Sequence, residues 1–97
     1  MKNLSEITHL LNTAKTELRR RYGVKEIGVF GSYVTGKQNR RSDLDILVEF
    51  TRPVGLFEFI RLENHLCDIT GLKVDLVMRY ALKPKIDANI LREVQFV

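Results

Sequence analysis

The sequence predicts an α/β (α+β) protein in which a small mixed three-stranded sheet is packed by helices. Two long segments carry apolar residues at helical spacing, and three short segments are rich in Val, Ile, Leu and Phe. The chain of 97 residues is the size of one domain with one hydrophobic core. We therefore expect a single domain over residues 1–97 with the element order αββαβα.

The first half of the chain supplies a helix and two strands. Leu4 to Tyr22 has a helical stripe, with Asn3 as the N-terminal cap and Gly23 as the stop signal. Val24 to Phe30 is short and apolar, as is typical of a strand, and a polar basic segment follows it. Leu44 to Phe50 is predicted to form the second strand.

The second half repeats the alternation of helix and strand. Leu56 to Ile69 carries a helical stripe that Gly71 ends, and Lys73 to Met78 is the third predicted strand. After Pro84, residues Ile86, Ile90 and Val94 recur every four positions in a final helix. The two strands joined by a helix should be parallel, whereas the first two need not be.

Composition indicates a globular protein that stays in the cytoplasm. Apolar residues make up 44% and charged residues 29% of the chain, which excludes disordered and fibrous classes. No apolar run approaches the roughly 18 residues that span a bilayer, and the N-terminus lacks an apolar signal core. We expect no membrane association.

Two aspartates open the second strand on one face. The stretch from Gly31 to Asp45 is GSYVTGKQNRRSDLD, in which ten residues separate the Gly-Ser pair from an Asp-x-Asp motif. Side chains alternate along a strand, so Asp43 and Asp45 should share a face while Leu44 and Ile46 point to the helix layer. Paired carboxylates repel each other, and a divalent cation relieves that repulsion.

Magnesium is the metal that this donor set favours. Mg²⁺ prefers oxygen ligands and takes part of its coordination from water and substrate phosphates, so a triphosphate would complete the site. Asp75 lies in the third strand between Val74 and Leu76, which should face the core while Asp75 faces outward. Asp75 is therefore a candidate third metal ligand or a base for an acceptor hydroxyl.

The Gly-Ser pair is a candidate phosphate site. Gly31 and Ser32 follow an apolar strand, where a side chain at position 31 would obstruct the approach of phosphate to the backbone. Backbone amides and the Ser32 hydroxyl are suited to the β and γ phosphates. Arg40 or Arg41 is a candidate for neutralising the triphosphate, because a guanidinium binds phosphate oxygens two at a time.

These motifs resemble the signature of the DNA polymerase β-like nucleotidyltransferase superfamily, and the resemblance covers nearly the whole chain. The small size, the first helix and the ending VDLVMRYALKPKIDANILREV are similar to the minimal nucleotidyltransferase (MNT) proteins, which pair with HEPN-domain toxins. The resemblance implies an antitoxin that uses Mg²⁺ and transfers AMP from ATP to a tyrosine of its HEPN toxin.

The resemblance also assigns roles to individual residues. It implies that Gly31 and Ser32 bind phosphate, that Asp43 and Asp45 bind the metal, and that Asp75 is the third carboxylate. Tyr33 departs from the arginine that many relatives carry. The corresponding phosphate contact would then be absent or come from Lys37, Arg40 or Arg41, and we include Arg41 among the nucleotide-binding residues.

Two alternative functions remain open at the level of sequence. The first is an antitoxin that silences its toxin by binding alone, and the second is nucleotidyl transfer to a small molecule such as an aminoglycoside. A net charge of +4 favours anionic partners in general, which include nucleotide triphosphates. Nucleic acid binding is not expected as the main role.

Overall fold

A computed structural model describes residues 2–79 and 84–97, the latter without the side chains of 84–87. It contains four helices and four strands within these ranges. In chain order they are α1 (Leu4–Tyr22), β1 (Val24–Phe30), α2 (Ser32–Thr35), β2 (Leu44–Phe50), α3 (Leu56–Thr70), β3 (Val74–Met78), α4 (Pro84–Glu93) and β4 (Gln95–Phe96). The predicted fold class is confirmed, and all six predicted elements are present. The stripe position predicted at Ile86 lies outside the described side chains.

The sheet has four strands in the order β3-β2-β1-β4. As predicted, β2 and β3 are parallel, and β1 pairs with β2 in the antiparallel sense. The prediction of three strands was one too few, because β4 pairs antiparallel with β1 through only two residues, Gln95 and Phe96. So short a strand has no alternating pattern that a sequence could reveal.

Glycines in the left-handed region end the two long helices where the sequence predicts. Asn3 caps α1 by accepting a hydrogen bond of 2.9 Å from the Glu6 N–H. Gly23 has φ +72° and donates its N–H to the Arg19 carbonyl at 3.0 Å. Gly71, with φ +70°, ends α3 by the same kind of bond to Cys67. The predicted helix limits therefore follow from capping.

The core lies between one face of the sheet and the helices α1 and α3. Side chains on this face come from alternate strand positions, as a half-buried sheet requires. Its fully or nearly fully buried members are Ile7, Leu11, Leu18, Ile27, Val29, Leu44, Ile46, Val48, Leu62, Leu66, Val74 and Leu76. The carboxylates of the sheet therefore belong to the opposite face. No helix in the described ranges is long and apolar enough to cross a membrane.

The C-terminal segment crosses β1 at Gly28. A Cβ atom at position 28 would lie 2.7 Å from Val94 Cγ2 and 3.0 Å from the Gln95 carbonyl oxygen, so only glycine lets the segment come this close. The Val97 N–H donates to the Ile27 carbonyl at 3.0 Å. This docking places the end of α4 beside the end of β1.

Candidate active site

Asp45 occupies the centre of a carboxylate cluster at one end of the sheet. Its Cα is paired with Phe30 of β1 on one side and with Asp75 of β3 on the other. Neighbouring strands are about 4.8 Å apart, and paired positions share a face. Asp75 is exposed, whereas its neighbours Val74 and Leu76 are buried in the core. The structure thus brings Asp45 and Asp75 together on the face away from the helices.

Asp43 lies one residue before β2 and is half-buried. The preceding turn is fixed by two reciprocal bonds, in which the Asn39 N–H donates to Ser42 Oγ at 2.9 Å and the Ser42 N–H donates to the Asn39 carbonyl at 3.1 Å. The Arg41 N–H donates to Asn39 Oδ1 at 2.8 Å. These bonds fix the backbone just before Asp43, the first of the two aspartates that the sequence predicts on a common face.

Gly31 forms a turn against Asp45 that glycine adopts readily. Its φ of +79° and ψ of −151° lie in a region that is open to glycine and essentially closed to residues with a Cβ atom. A Cβ atom on Gly31 would overlap Asp45 Oδ2. The sequence predicted a glycine here so that phosphate could approach. In the structure the group that needs the space is the Asp45 carboxylate.

Ser32 begins the short helix α2 directly after this turn. The Val34 and Thr35 N–H groups donate to the Gly31 carbonyl at 3.0 and 3.1 Å. The amides of Ser32 and Tyr33 precede the first bond of the helix, as is usual for amides at a helix start. Tyr33 itself is only 3% exposed and is packed in the core.

Glu93 is a fourth carboxylate that the sequence did not indicate. Its Oε1 accepts a hydrogen bond of 2.9 Å from the Gly31 N–H, although 62 residues separate the two positions. No motif spacing connects residues so far apart. Glu93 reaches this edge of the site because β4 pairs with β1, and so short a strand gives no signal in the sequence.

Burial and negative charge act together on Asp45. The pKa of Asp45 is raised from an ordinary value of 3.8 to about 6, and desolvation by burial is the largest cause. The charges of neighbouring carboxylates contribute the rest, in the order Asp75, Asp43 and Glu93. Each carboxylate disfavours the ionisation of the others, so a cation bound among them would stabilise their ionised forms.

The donor set fits Mg²⁺ that is bound together with a nucleotide. Within residues 2–79 and 84–97 no three His, Cys, Asp or Glu side chains are preassembled as a metal site. Mg²⁺ does not need such a cage, since it usually binds through one or two carboxylates plus waters and substrate phosphates. Asp43, Asp45 and Asp75 supply hard oxygen donors of this kind.

A basic cleft of about 520 Å³ adjoins Asp43. It is lined by the Asn39–Ser42 turn with Arg40 and Arg41, by Tyr33 and Asp43, and by the segment 71–73 that precedes β3 and ends in Lys73. Both arginines are exposed. The cleft therefore presents cationic side chains next to Asp43, as a site for phosphates requires.

Comparison with sequence families identifies a known relationship. Residues 11–97 match the sequence profile of the family described as "Nucleotidyltransferase domain". Over 97 residues, the chain is 52% identical to the "Protein adenylyltransferase MntA" of Thermococcus cleftensis, covering 100% of this chain and 98% of the relative.

Solved structures share the fold. A structure provisionally assigned as a minimal nucleotidyltransferase superposes with a TM-score of 0.80 at 32% identity and covers 97% of this chain and 95% of its own. A toxin-antitoxin with AMP-PNP has a TM-score of 0.72 at 26% identity and covers 88% of this chain and 69% of its own. A complex of tri-AMPylated Shewanella oneidensis HEPN toxin with MNT antitoxin shares the fold at 20% identity, with a TM-score of 0.67 and coverage of 93% of this chain and 70% of its own.

The demand for glycine at position 31 can be tested against a second glycine with positive φ. Gly36 has φ +77° and ψ 14°, in the left-handed region, and a Cβ atom there would meet nothing within 4 Å. Gly36→Ala should therefore cost only the backbone strain of that region. We expect Gly31→Ala to lower the free energy of unfolding by about 1–3 kcal/mol more, because its backbone conformation is essentially closed to alanine and its Cβ atom would also displace Asp45. Urea unfolding measures both, and equal losses would contradict the account.

The raised pKa of Asp45 predicts a pH-dependent stability. Because the folded state favours the protonated acid, stability from this group is complete below about pH 3.8 and is lost as the pH rises through about 6. Asp45→Asn should thus raise the melting temperature at pH 7.5, with the gain shrinking near pH 4. Asp68→Asn, at an exposed position on α3, is the control. A gain that does not change with pH would contradict this assignment.

Proposed function

Because this chain belongs to the nucleotidyltransferase domain family, we propose that it transfers AMP from ATP to a tyrosine hydroxyl of a cognate HEPN toxin and so neutralises that toxin. The proposal is carried by one observation. Asp45 and Asp75 are register partners on one sheet face, and the Gly31–Ser32 turn packs directly against Asp45. Comparison supports the acceptor class, since one relative is a protein adenylyltransferase and a solved neighbour contains an AMPylated toxin.

The nucleotide would bind between the turn and the basic cleft. In this proposal the Ser32 hydroxyl and the first amides of α2 hold the terminal phosphates, and Arg41 neutralises them from the cleft, with Arg40 beside it. Bound Mg²⁺ would be held by Asp43, Asp45 and Asp75 and would supply charge neutralisation for the triphosphate. The AMP-PNP in a solved neighbour supports a nucleotide of this kind.

The reaction is an in-line displacement at the α phosphorus. The acceptor oxygen forms a bond to the α phosphorus, the bond from that phosphorus to the bridging oxygen breaks, and pyrophosphate leaves. Asp75 is the exposed carboxylate of the cluster and would take the proton from the acceptor hydroxyl. The half-buried Asp43 and Asp45 act through position and charge.

The acceptor is proposed to be a protein because the site is open. The carboxylates lie on the sheet face away from the core, and the adjacent cleft is bounded mainly by a turn. A small acceptor such as an aminoglycoside is usually enclosed by a pocket that buries most of its surface. A tyrosine on a folded partner protein is positioned by the contacts of the surrounding partner surface, so it needs no such pocket.

Transfer can be followed with ATP labelled at different phosphates. The purified chain, its toxin partner, Mg²⁺ and ATP labelled at the α phosphate should give a partner that keeps the label through a denaturing gel. Label at the γ phosphate should not appear on the partner, because it leaves with pyrophosphate. We expect Asp43→Asn and Asp45→Asn to lower the rate by at least about 100-fold, by analogy with the loss of other charge-stabilising groups.

The alternatives give different results in the same assay. Neutralised toxin without α label would contradict transfer and identify an antitoxin that acts by binding alone. Label on an added aminoglycoside but not on the partner would assign a small-molecule acceptor. Asp75→Asn should slow transfer while weakening nucleotide binding less than Asp43→Asn or Asp45→Asn does, and a defect confined to nucleotide binding would contradict its role as base. Asp68→Asn on α3 controls for the loss of one acidic residue.

A further inference from the structure

The backbone amide of Gly31 is held by a side chain from the far end of the sequence. Glu93 Oε1 accepts the Gly31 N–H at 2.9 Å, and Glu93 is the last residue of α4. The glutamate brings a further negative charge to a site that already holds three aspartates. Such crowding is unfavourable in itself, so the placement of Glu93 calls for a compensating role.

The geometry of Gly31 indicates what that role is. Glycine can adopt many backbone conformations, so Gly31 stays at φ +79° and ψ −151° only when its surroundings fix it. The carbonyl side of the turn is fixed by α2, because the Val34 and Thr35 N–H groups both donate to the Gly31 oxygen. The amide side is fixed by Glu93, whose side-chain oxygen accepts the Gly31 N–H.

The position of Glu93 is itself set by contacts outside the site. β4 pairs with Gly28 and Val29. Because glycine has no side chain, Val94 and Gln95 can pack closely against β1 at Gly28. The Val97 carbonyl accepts a bond of 2.6 Å from Lys15 Nζ on α1. The C-terminal segment is thus tied to the core on both sides and delivers Glu93 to the turn.

We propose that Glu93 is a positioning residue whose carboxylate oxygen fixes the Gly31 amide and so holds the Gly31–Ser32 turn in the form that receives the nucleotide. The inference rests on the proposed function, because it concerns the same nucleotide site. It assigns Glu93 the role of a hydrogen-bond acceptor, and a neutral amide oxygen can fill that role. A role as metal ligand or base would instead require the negative charge of the Glu93 carboxylate, so the two kinds of role can be told apart.

Two substitutions at position 93 distinguish these roles. Glu93→Gln keeps an acceptor at the same reach, whereas Glu93→Ala removes it. The full chain is tested for the proton shift of the Gly31 amide by NMR and for affinity toward AMP-PNP with Mg²⁺ by calorimetry. We expect Glu93→Gln to keep the downfield Gly31 resonance and to bind within about threefold of wild type. Glu93→Ala should lose the shift and bind about 10-fold to 100-fold more weakly, as expected when a partly buried backbone donor is left without an acceptor.

Glu63 offers a matched control on another strand. Its Oε2 accepts the Leu76 N–H at 3.0 Å, so Glu63→Ala removes the same kind of bond away from the turn. We expect it to leave the Gly31 resonance in place and nucleotide affinity within about threefold of wild type. If Glu93→Ala does not fold, Glu93→Met, which keeps the length of the side chain without an acceptor, takes its place.

Each contrary result is distinct. If Glu93→Gln weakens binding as much as Glu93→Ala, the charge is what matters and the positioning role is overturned. Tighter binding by both variants, or an unchanged Gly31 resonance in Glu93→Ala, also overturns it. If wild-type protein binds no nucleotide, the proposed function fails, while the Gly31 resonance in the two variants still decides whether Glu93 fixes the turn.

Discussion

The close contact between the Asp45 carboxylate and the bare Cα of Gly31 is the constraint on which the rest of the site depends. It requires glycine at the end of β1, because any Cβ would overlap Asp45 Oδ2. It accompanies the positive-φ turn at Gly31 that starts α2 and presents Ser32. The Gly-Ser pair and the Asp-x-Asp motif, which are ten residues apart in the sequence, are therefore one packed unit in the fold.

Several carboxylates that repel one another lie at the same end of the sheet. The burial of Asp45 and the charges of its neighbours raise the pKa of Asp45 to about 6, so ionising this group at neutral pH lowers the stability of the isolated protein. The hydrophobic core on the other sheet face offsets this loss of stability, because side chains from α1 and α3 pack there against alternate strand positions. Sites that bind charged substrates commonly trade stability for function in this way.

Much of the architecture was predictable because it is encoded locally. Caps at Asn3, Gly23 and Gly71 set the helix limits, and the two-residue period of the strands placed Asp45 and Asp75 on one face. What escaped prediction depends on contacts between distant residues. β4 is too short to have a pattern. Gly28 is needed because a side chain there would collide with Val94 and its neighbours, a contact that is visible only in the folded structure. Glu93 was missed for the same reason, and so was the contact that makes glycine necessary at position 31.

The central claim is that Asp45 lies in an anionic site that is completed by Mg²⁺ and a nucleotide. The most direct measurement is the Asp45 carboxyl pKa, followed by carbon NMR in the free protein, with AMP-PNP alone, and with AMP-PNP and Mg²⁺. The account predicts a pKa of about 6 in the free protein. It predicts a fall to below about 4, at or beneath the ordinary range, only when metal and nucleotide are both present. A pKa that stays near its free value with both bound would contradict the claim.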